Sequence, residues 1–428
     1  MTKARWSFGM GASRSAVTRR KKKMTVTTAA ALWCLSAMTM FAVTFYMARS
    51  RRGACVHRNR QRWEGFIRPL IQDGTFKTRF RMNHSEFKGL YKILQTRLEC
   101  NPALGRGHNG TVAGEWALAS TLQWLAGHGV SAAADGPRMA QSTAYAKIYR
   151  GLDAINNCGR LRIKWPRTES ELQEKAVGFH ERTSQIDPVL KHCVGALDGV
   201  LVRIKKPSAK EHPCPDRFFS GHKMTVGLNC QVICDAKYVI IAACCNTPGS
   251  TNDRQAYREA KFDSLVESIP GKYYILGDAA YGATNKMIVP YPGCNLDADQ
   301  DALNFFQSQG RMCIEQTFGI VMKQWPLLHR PLQVPLRNTA GVVHAITRLH
   351  NYLRGCRNEP PSSSARFFNE DGTISSNRWA TPSSGRPPAA TSQTREDIRQ
   401  DIRERTLVRP AENVARNRGW RTAITRAE

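Results

Sequence analysis

Acidic residues are scarce in this chain of 428 residues. Its 34 Asp and Glu residues are set against 63 Lys and Arg residues, which gives a formal net charge of +29. This imbalance argues against an acidic, solvated structural protein and favours a polyanionic partner, either nucleic acid or an anionic membrane surface. Hydrophobic residues make up 41% of the chain, enough to bury a core, which argues against wholesale disorder.

Cysteine pairs with the spacing of a zinc site are also missing. The 13 cysteines include no CxxC motif, and the nearest neighbours are the adjacent Cys244 and Cys245 and the pair Cys230 and Cys234. Neither arrangement supplies a zinc site by itself. Cysteines scattered in this way are more typical of a reducing compartment than of a secreted, disulfide-bonded scaffold.

The first 63 residues contain 14 Lys or Arg residues and no acidic residue. Inside this basic region, residues 24–48 form an uncharged block in which 19 of 25 residues are apolar. As a helix the block would be about 37 Å long, enough to span a bilayer. We therefore interpret residues 1–63 as a basic region with a candidate transmembrane segment at residues 24–48. The alternative is an accidental apolar extension, and the basic run at residues 18–23 also resembles a nuclear import signal.

Residues 64–187 have mostly helical periodicity. Apolar residues recur at spacings of three, four and seven between Phe76 and Leu98, and Asn83 followed by Glu86 predicts a capping box. Two further helices, separated by a polar turn within residues 130–155, predict a helix-turn-helix-like segment. The alternative is a pair of packed core helices that do not contact DNA.

From Val194 onwards the pattern changes to short apolar or alternating runs bounded by Gly, Pro, Asn or Asp, which predict strands. Helical stretches are interleaved with the later strands. Residues 188–355 therefore predict an α/β domain, a mixed sheet with helices on its faces. Residues 356–428 are rich in Pro, Ser and Arg and predict a disordered tail, with a short charged helix as an option around residues 395–405.

Three acidic residues lie among apolar neighbours: Asp198 and Asp278 on or after predicted strands, and Glu315 on a predicted helix. A carboxylate in such surroundings is costly to bury unless a metal ion, a cation or hydrogen bonds compensate. Three carboxylates facing one point would hold Mg²⁺ or Mn²⁺, which prefer oxygen ligands. Two such ions about 3.5–4 Å apart can activate a water or a 3′-hydroxyl in phosphodiester chemistry. Taken singly, such an aspartate is more often a turn residue than a metal ligand, and such a glutamate is more often a residue at the edge of an amphipathic helix.

Several sequence motifs go further, because they occur in a fixed order with compatible intervals. They resemble the motifs of Harbinger-type (PIF/Harbinger) transposases and of the nucleases derived from them, within the DDE endonuclease superfamily. The resemblance covers about residues 76–353 and is strongest over residues 194–325. The similar strings are GALDGVLVRIKKP, FFSGHKMTVGLNCQVICD, NTPGSTNDRQAY, LGDAAYG and IEQTFGIVMKQWPLL.

This resemblance implies an RNase H-like fold for residues 188–355. It also implies that Asp198, Asp278 and Glu315 form a catalytic triad that binds two Mg²⁺ or Mn²⁺ ions. Asp253 matches a further family acid, although Asn252 stands where the family has His, and we expect Asp253 to support the site or cap a helix rather than bind metal. Basic residues expected to line the path of the DNA backbone are Lys205, Lys206, Lys223, Arg311 and Lys323.

The leading hypothesis is a metal-dependent DNA endonuclease or transposase that cuts and joins phosphodiester bonds. The resemblance further implies a nuclear location and a separate Myb/SANT-like DNA-binding partner. One alternative is a domesticated DNA-binding protein without catalysis. The other is a membrane-anchored derivative whose catalytic fold has been repurposed, for which residues 24–48 are the only support.

Overall fold

The computed structural model describes residues 33, 35–41, 58–99, 110–183, 189–357 and 392–405, and the chain divides into two compact units, residues 1–58 and 59–428. In the first unit, residues 33 and 35–41 are helical and exposed. No helix in the described part of the chain is both long and apolar enough to cross a membrane. Most of residues 24–48 and all of residues 18–23 lie outside the described residues, so the predicted span and import signal stay predictions.

Helices fill the described part of the second unit before its first strand. The predicted capping box is confirmed at Asn83, whose backbone amide donates to the Glu86 carboxylate at 2.6 Å. It starts a helix whose buried face carries Phe87, Leu90 and Leu94. The helices are α1 (Trp63–Gln72), α2 (Phe76–Phe80), α3 (His84–Leu98), α4 (Gly114–Leu125), α5 (Val130–Asp135), α6 (Gln141–Asn156) and α7 (Glu169–Thr183).

The predicted helix-turn-helix-like segment corresponds to α5 and α6, which pack against each other and against α4. The close approach of α4 and α6 depends on Gly151, because a Cβ atom there would lie 2.0 Å from the hydroxyl oxygen of Thr121. Near the start of α6, Gln141, Ser142 and Tyr145 are exposed. The packing agrees with the prediction, and DNA contact through α6 stays a prediction.

A mixed sheet follows the helices. β1 pairs antiparallel with β3, and β3 pairs antiparallel with both β2 and β4. β5 runs parallel to β1, and β6 runs parallel to β5. Cys230 and Cys245 face each other across β3 and β4 and form a disulfide, which the cysteine spacing did not predict. The strands are β1 (Cys193–Arg203), β2 (Phe219–Ser220), β3 (Thr225–Cys234), β4 (Ile240–Pro248), β5 (Tyr274–Leu276) and β6 (Met287–Ile288).

Helices cover both faces of the sheet. Successive side chains of a strand point to opposite faces, and the buried ones pack in two different hydrophobic clusters that include helices. Ala196 of β1 packs in the cluster that contains α10 (Ala298–Gln324) and α11 (Leu336–Cys356). Leu197 packs in the cluster that contains α7, α8 (Asp253–Glu259) and α9 (Phe262–Glu267). The first cluster continues into α1–α6, so the helical segment and the sheet share one core. The predicted fold class, a mixed α/β fold preceded by helices, is confirmed.

Part of the predicted disordered tail is an ordered helix, α12 (Gln393–Glu404), which packs on α10. Ile402 is fully buried there, and the Arg395 guanidinium lies 4.0 Å from the centre of the Tyr291 ring. Arg399 forms ion pairs with Asp297 and Asp299 near the start of α10. The optional short charged helix around residues 395–405 is therefore found, at residues 393–404, and the prediction of disorder is wrong there. Residues 358–391 and 406–428 lie outside the described residues.

Candidate active site

Asp198 and Asp278 come together because β1 and β5 are parallel neighbours. Ala196 of β1 is paired with Leu276 of β5, and each aspartate follows its strand partner by two residues. Since side chains alternate along extended chain, a step of two residues brings both carboxylates to the same face at the same edge. Each carboxylate accepts a hydrogen bond from the next backbone amide, at 2.8 Å from Gly199 and 2.7 Å from Ala279.

Helix α10 adds Arg311 and Glu315 to this pair. The two residues are four apart, so they lie on the same face of the helix, one turn from each other. The Arg311 guanidinium reaches both aspartates: Nη2 lies 3.6 Å from Oδ2 of Asp198, and Nη1 lies 3.8 Å from Oδ1 of Asp278. The structure therefore brings the three predicted carboxylates into one neighbourhood, with an arginine among them.

Two contacts hold α10 over the end of β5. A Cβ atom on Gly310 would lie 2.5 Å from Cδ1 of Leu276, so only glycine permits this approach without movement of the leucine. One turn earlier, Gln307 is buried, and its Nε2 donates to the carbonyl oxygen of Gly277 at 2.7 Å. Because Gly277 directly precedes Asp278, the hydrogen bond fixes the helix relative to that carboxylate.

The charges of these groups affect one another. Burial, reinforced by the charges of Asp278 and Glu315, raises the pKa of Asp198 to about 7, although Arg311 and the Gly199 amide oppose the shift. Burial also raises the pKa of Glu315 against the influence of Arg311. For Arg311, burial alone would lower the pKa, but the three surrounding carboxylates outweigh it and the pKa is raised. The site therefore concentrates negative charge that favours a cation.

The donor set fits a hard divalent cation in its chemistry, since three carboxylates supply the oxygen ligands that Mg²⁺ and Mn²⁺ prefer. The positions of these side chains in the structure, however, are not those of a metal site. Among the described residues, no three His, Cys, Asp or Glu side chains lie close enough together to hold a metal ion. The Arg311 guanidinium is the cation that lies near Asp198 and Asp278 in the structure.

Asp253 lies beside this site without joining the carboxylates. Its Oδ1 accepts from Asn229 Nδ2 at 2.9 Å and from Gln231 Nε2 at 3.3 Å. A Cβ atom on Gly199 would lie only 2.4 Å from the same oxygen, so Asp253 packs directly over the residue that follows Asp198. The cap of α8 is provided by Asn252, whose side chain accepts from the Gln255 amide. Asp253 therefore does not provide the cap of α8, and its supporting role at the site stays a prediction.

Three residues of this polar network were missed from the sequence. Gln231 accepts a hydrogen bond from the Tyr281 hydroxyl at 2.8 Å and donates to Asn229 Oδ1 at 2.8 Å. All three side chains belong to buried residues. The available signal was the presence of two amides in the apolar strand GLNCQVIC and of a tyrosine three residues after Asp278.

Of the predicted basic residues, Lys223 and Arg311 lie near the carboxylates. Lys223 is half-buried in the turn before β3, where burial lowers its pKa and the charges of Asp253 and Asp198 oppose the shift. This lysine therefore lies within electrostatic reach of Asp253 and Asp198.

The other predicted basic residues lie on the surface. Lys205 and Lys323 are exposed, and Lys206 is exposed in an ion pair with Asp216, with 2.6 Å between Nζ and Oδ1. None of the three has a described contact with the carboxylates. Their assignment to the DNA path stays a prediction.

Comparison with known proteins agrees with this arrangement. Residues 197–351 match the family of DDE superfamily endonucleases. The chain is also similar to HARBI1 of Homo sapiens, which carries the name of a nuclease, with 23% identity over 193 residues. That match covers 44% of this chain and 52% of the human protein.

Matches to HARBI1 of two rodents are shorter. The Rattus norvegicus protein is 28% identical over 98 residues and the Mus musculus protein 27% identical over 100 residues, each covering 23% of this chain and 27% of the relative. The chain thus spans about half of the human relative and about a quarter of the rodent ones. No solved structure matches the chain. The resemblance found in the motifs is confirmed: residues 197–351 match the DDE superfamily endonuclease family, and the chain is weakly similar to the HARBI1 nucleases.

Proposed function

We propose that this chain is a metal-dependent DNA nuclease of the Harbinger type, in which Asp198, Asp278 and Glu315 are the catalytic carboxylates. The observation that carries the proposal is the shared neighbourhood of these side chains: two aspartates in parallel register and a glutamate on the helix held over them. The matched domain contains all three residues. The net charge of +29 suits a polyanionic substrate.

The three carboxylates would hold Mg²⁺ or Mn²⁺, as two ions. When bound, such ions make a water or a 3′-hydroxyl nucleophilic and stabilise the leaving oxygen. The backbone amides of Gly199 and Ala279 orient the aspartates, and the polar network around Asp253 supports the strand that carries Asp198. Lys223 and Arg311 are placed to contact a phosphate that enters the site. Hydrolysis would cut DNA, and attack by a 3′-hydroxyl would join it.

The proposal is tested by plasmid cleavage with the full chain in Mg²⁺ or Mn²⁺. The wild type is compared with Asp198→Asn, Asp278→Asn and Glu315→Gln, which remove one charge each and keep the side-chain volume. Each variant is expected to lose roughly three orders of magnitude in rate, since catalytic groups that act as a unit fail together. The matched control is Glu259→Gln, an exposed residue of α8, which should cleave like the wild type. Cleavage that survives any one of the three substitutions would remove that residue from the proposal.

A second candidate function is DNA binding without catalysis. The pairing of Arg311 with Asp198 and Asp278 favours it, because a fixed arginine would occupy the place of a metal ion beside two of the proposed ligands. Under this alternative no metal-dependent cleavage is measured, whereas DNA binding remains and weakens steeply with salt.

A nuclear site of action and a Myb/SANT-like DNA-binding partner belong to the same proposal and rest on the family resemblance. Anchoring at a membrane through residues 24–48 is the competing proposal for location. Fractionation of cells that express the full chain or a chain lacking residues 1–63 separates the two. Carbonate-resistant membrane association that is lost on truncation would support the anchor.

A further inference from the structure

Arg311 places one arm of its guanidinium near each catalytic aspartate. The distances of 3.6 Å to Asp198 and 3.8 Å to Asp278 are too long for hydrogen bonds, so the attraction is electrostatic. The Nε atom of Arg311 is buried and has no hydrogen-bond partner among the described residues. The guanidinium is thus held in place chiefly by the charge of the two aspartates.

The backbone beneath Arg311 is fixed more firmly than its side chain. Gln307 and Gly310 hold α10 against β5, through the hydrogen bond to Gly277 and the close approach to Leu276. Movement of the whole helix would break these contacts, whereas rotation of the arginine side chain would break the two loose ion pairs and leave the helix contacts intact. The guanidinium can therefore leave the carboxylates while Glu315, on the same helix, stays where it is.

The net charge of the site indicates under which conditions the Arg311 guanidinium would leave the carboxylates. When all three carboxylates are ionised, they and the guanidinium carry a net charge of −2, which a single divalent cation neutralises. A second divalent cation would leave the site positive, and the guanidinium would then be repelled by both ions and attracted by a phosphate of the DNA.

We propose that Arg311 is a built-in competitor for the metal site: it pairs with Asp198 and Asp278 in the metal-free protein, is displaced by divalent ions, and then pairs with the DNA phosphate. The inference rests on the proposed function and deepens it, since it concerns how that site is loaded. An intramolecular competitor lowers the apparent affinity for metal by the fraction of molecules whose site is open. DNA that offers Arg311 another partner raises this fraction, so metal and DNA bind cooperatively.

The test measures Mn²⁺ binding to the full chain by titration calorimetry, without DNA, for the wild type and Arg311→Met. Methionine removes the guanidinium and its charge and keeps an unbranched side chain about as long as the arginine side chain up to Nε. If Arg311 occupies the site in about nine molecules of ten, the variant should bind Mn²⁺ about tenfold more tightly. Arg337→Met is the matched control, because Arg337 is an exposed residue of α11, and it should bind Mn²⁺ like the wild type.

A second measurement tests the coupling. The titration is repeated with Ca²⁺ and a short DNA duplex. The duplex should tighten Ca²⁺ binding to the wild type several-fold and should have a smaller effect on Arg311→Met. Arg311→Lys keeps the charge but cannot reach both aspartates at once, so its affinity for Mn²⁺ should be intermediate. This variant replaces Arg311→Met in the test if the methionine variant does not fold.

The outcomes separate the inference from the proposed function. Equal or weaker Mn²⁺ binding by Arg311→Met, together with loss of binding in Asp278→Asn, would contradict competition by Arg311 and would still support the proposed metal site. Absence of Mn²⁺ binding in the wild type and in both Arg311 variants would overturn the proposed metal site and the competitor with it.

Discussion

At the scale of single residues, Gly199 shows how tightly the surroundings of Asp198 are packed. A Cβ atom at this position would lie 2.4 Å from Asp253 Oδ1 and 2.7 Å from Gln231 Nε2. Both groups belong to one hydrogen-bond network, so neither can move alone. We expect Gly199→Ala to cost about 1–3 kcal/mol of stability by overpacking. Because the displaced network supports β1, cleavage should fall at least about tenfold as well.

Chemical denaturation and plasmid cleavage measure the two effects. Gly65→Ala in α1 is the control, since a Cβ atom there meets nothing within 4 Å. Alanine is also the better helix former, so this control should be neutral or slightly stabilising. Wild-type cleavage by Gly199→Ala would show that the packing of Asp253 over β1 does not matter for the reaction.

His350 of α11 predicts a dependence of stability on pH. It is buried, its Nε2 lies 2.7 Å from the carbonyl oxygen of Tyr238, and burial lowers its pKa from 6.5 to about 4. The unfolded chain therefore takes up a proton between these values and the folded protein does not. Stability from this group is fully present above pH 6.5 and is lost as the pH falls to about 4, by about 3 kcal/mol.

Urea denaturation at pH 7 and pH 4.5 checks this expectation. His350→Gln, which cannot take up the proton, should lose less stability on acidification than the wild type. Substitution of the exposed His222 by Gln should leave the pH dependence unchanged. An equal loss in the wild type and in His350→Gln would assign the acid sensitivity to other groups.

The sequence motifs predicted which carboxylates approach one another, because each follows a recognisable apolar string. They did not predict the position of Arg311, which was assigned to the DNA path. The spacing of Arg311 and Glu315 places both on one helical face, but the direction of that face depends on Gly310 and Gln307, whose partners Leu276 and Gly277 are distant in sequence. Contacts of this kind cannot be derived from local pattern.

At the scale of elements, α12 is the clearest difference between expectation and structure. Its composition is that of a solvated segment, with Pro- and Ser-rich sequence before it, and the local pattern therefore favoured disorder. The helix is ordered by partners elsewhere: Asp297 and Asp299 of the α10 region, the Tyr291 ring, and a buried site for Ile402. In contrast, β6 has only two residues, too few for alternation to be recognised.

The docking of α12 should depend on Arg399, which is 19% exposed and pairs with two aspartates at once. A partly buried network of ion pairs contributes more to the stability of the docked helix than an isolated surface ion pair does. We expect Arg399→Ala to release α12, so that amides of residues 393–404 exchange with solvent at least about tenfold faster, while β1 and β3 keep their protection.

Hydrogen exchange followed by mass spectrometry resolves this segment. Gln400→Ala is the matched control, because Gln400 is exposed on the same helix and its side chain donates a hydrogen bond to Glu404, within that helix. Unchanged exchange in Arg399→Ala would mean that Ile402 and Arg395 suffice to hold the helix.

At the scale of the whole molecule, the order of helices and strands followed from periodicity, and so did the mixed α/β class. The way in which the helical segment joins the sheet did not. Glu86 of α3 pairs with Arg357 after α11, at 2.7 Å, and the Tyr352 hydroxyl donates to the Glu86 carbonyl oxygen. These contacts join residues more than 260 positions apart, and the sequence predicts each partner only as an ordinary helix residue.

The docking of α12 also bears on where a minimal fragment should be cut. The segment recognised by comparison ends at residue 351, before Arg357 and about forty residues before Ser392. A fragment trimmed to the match would expose the apolar site of Ile402 and leave Asp297 and Asp299 without their arginines. The segment that matches the family is therefore shorter than the segment that packs together.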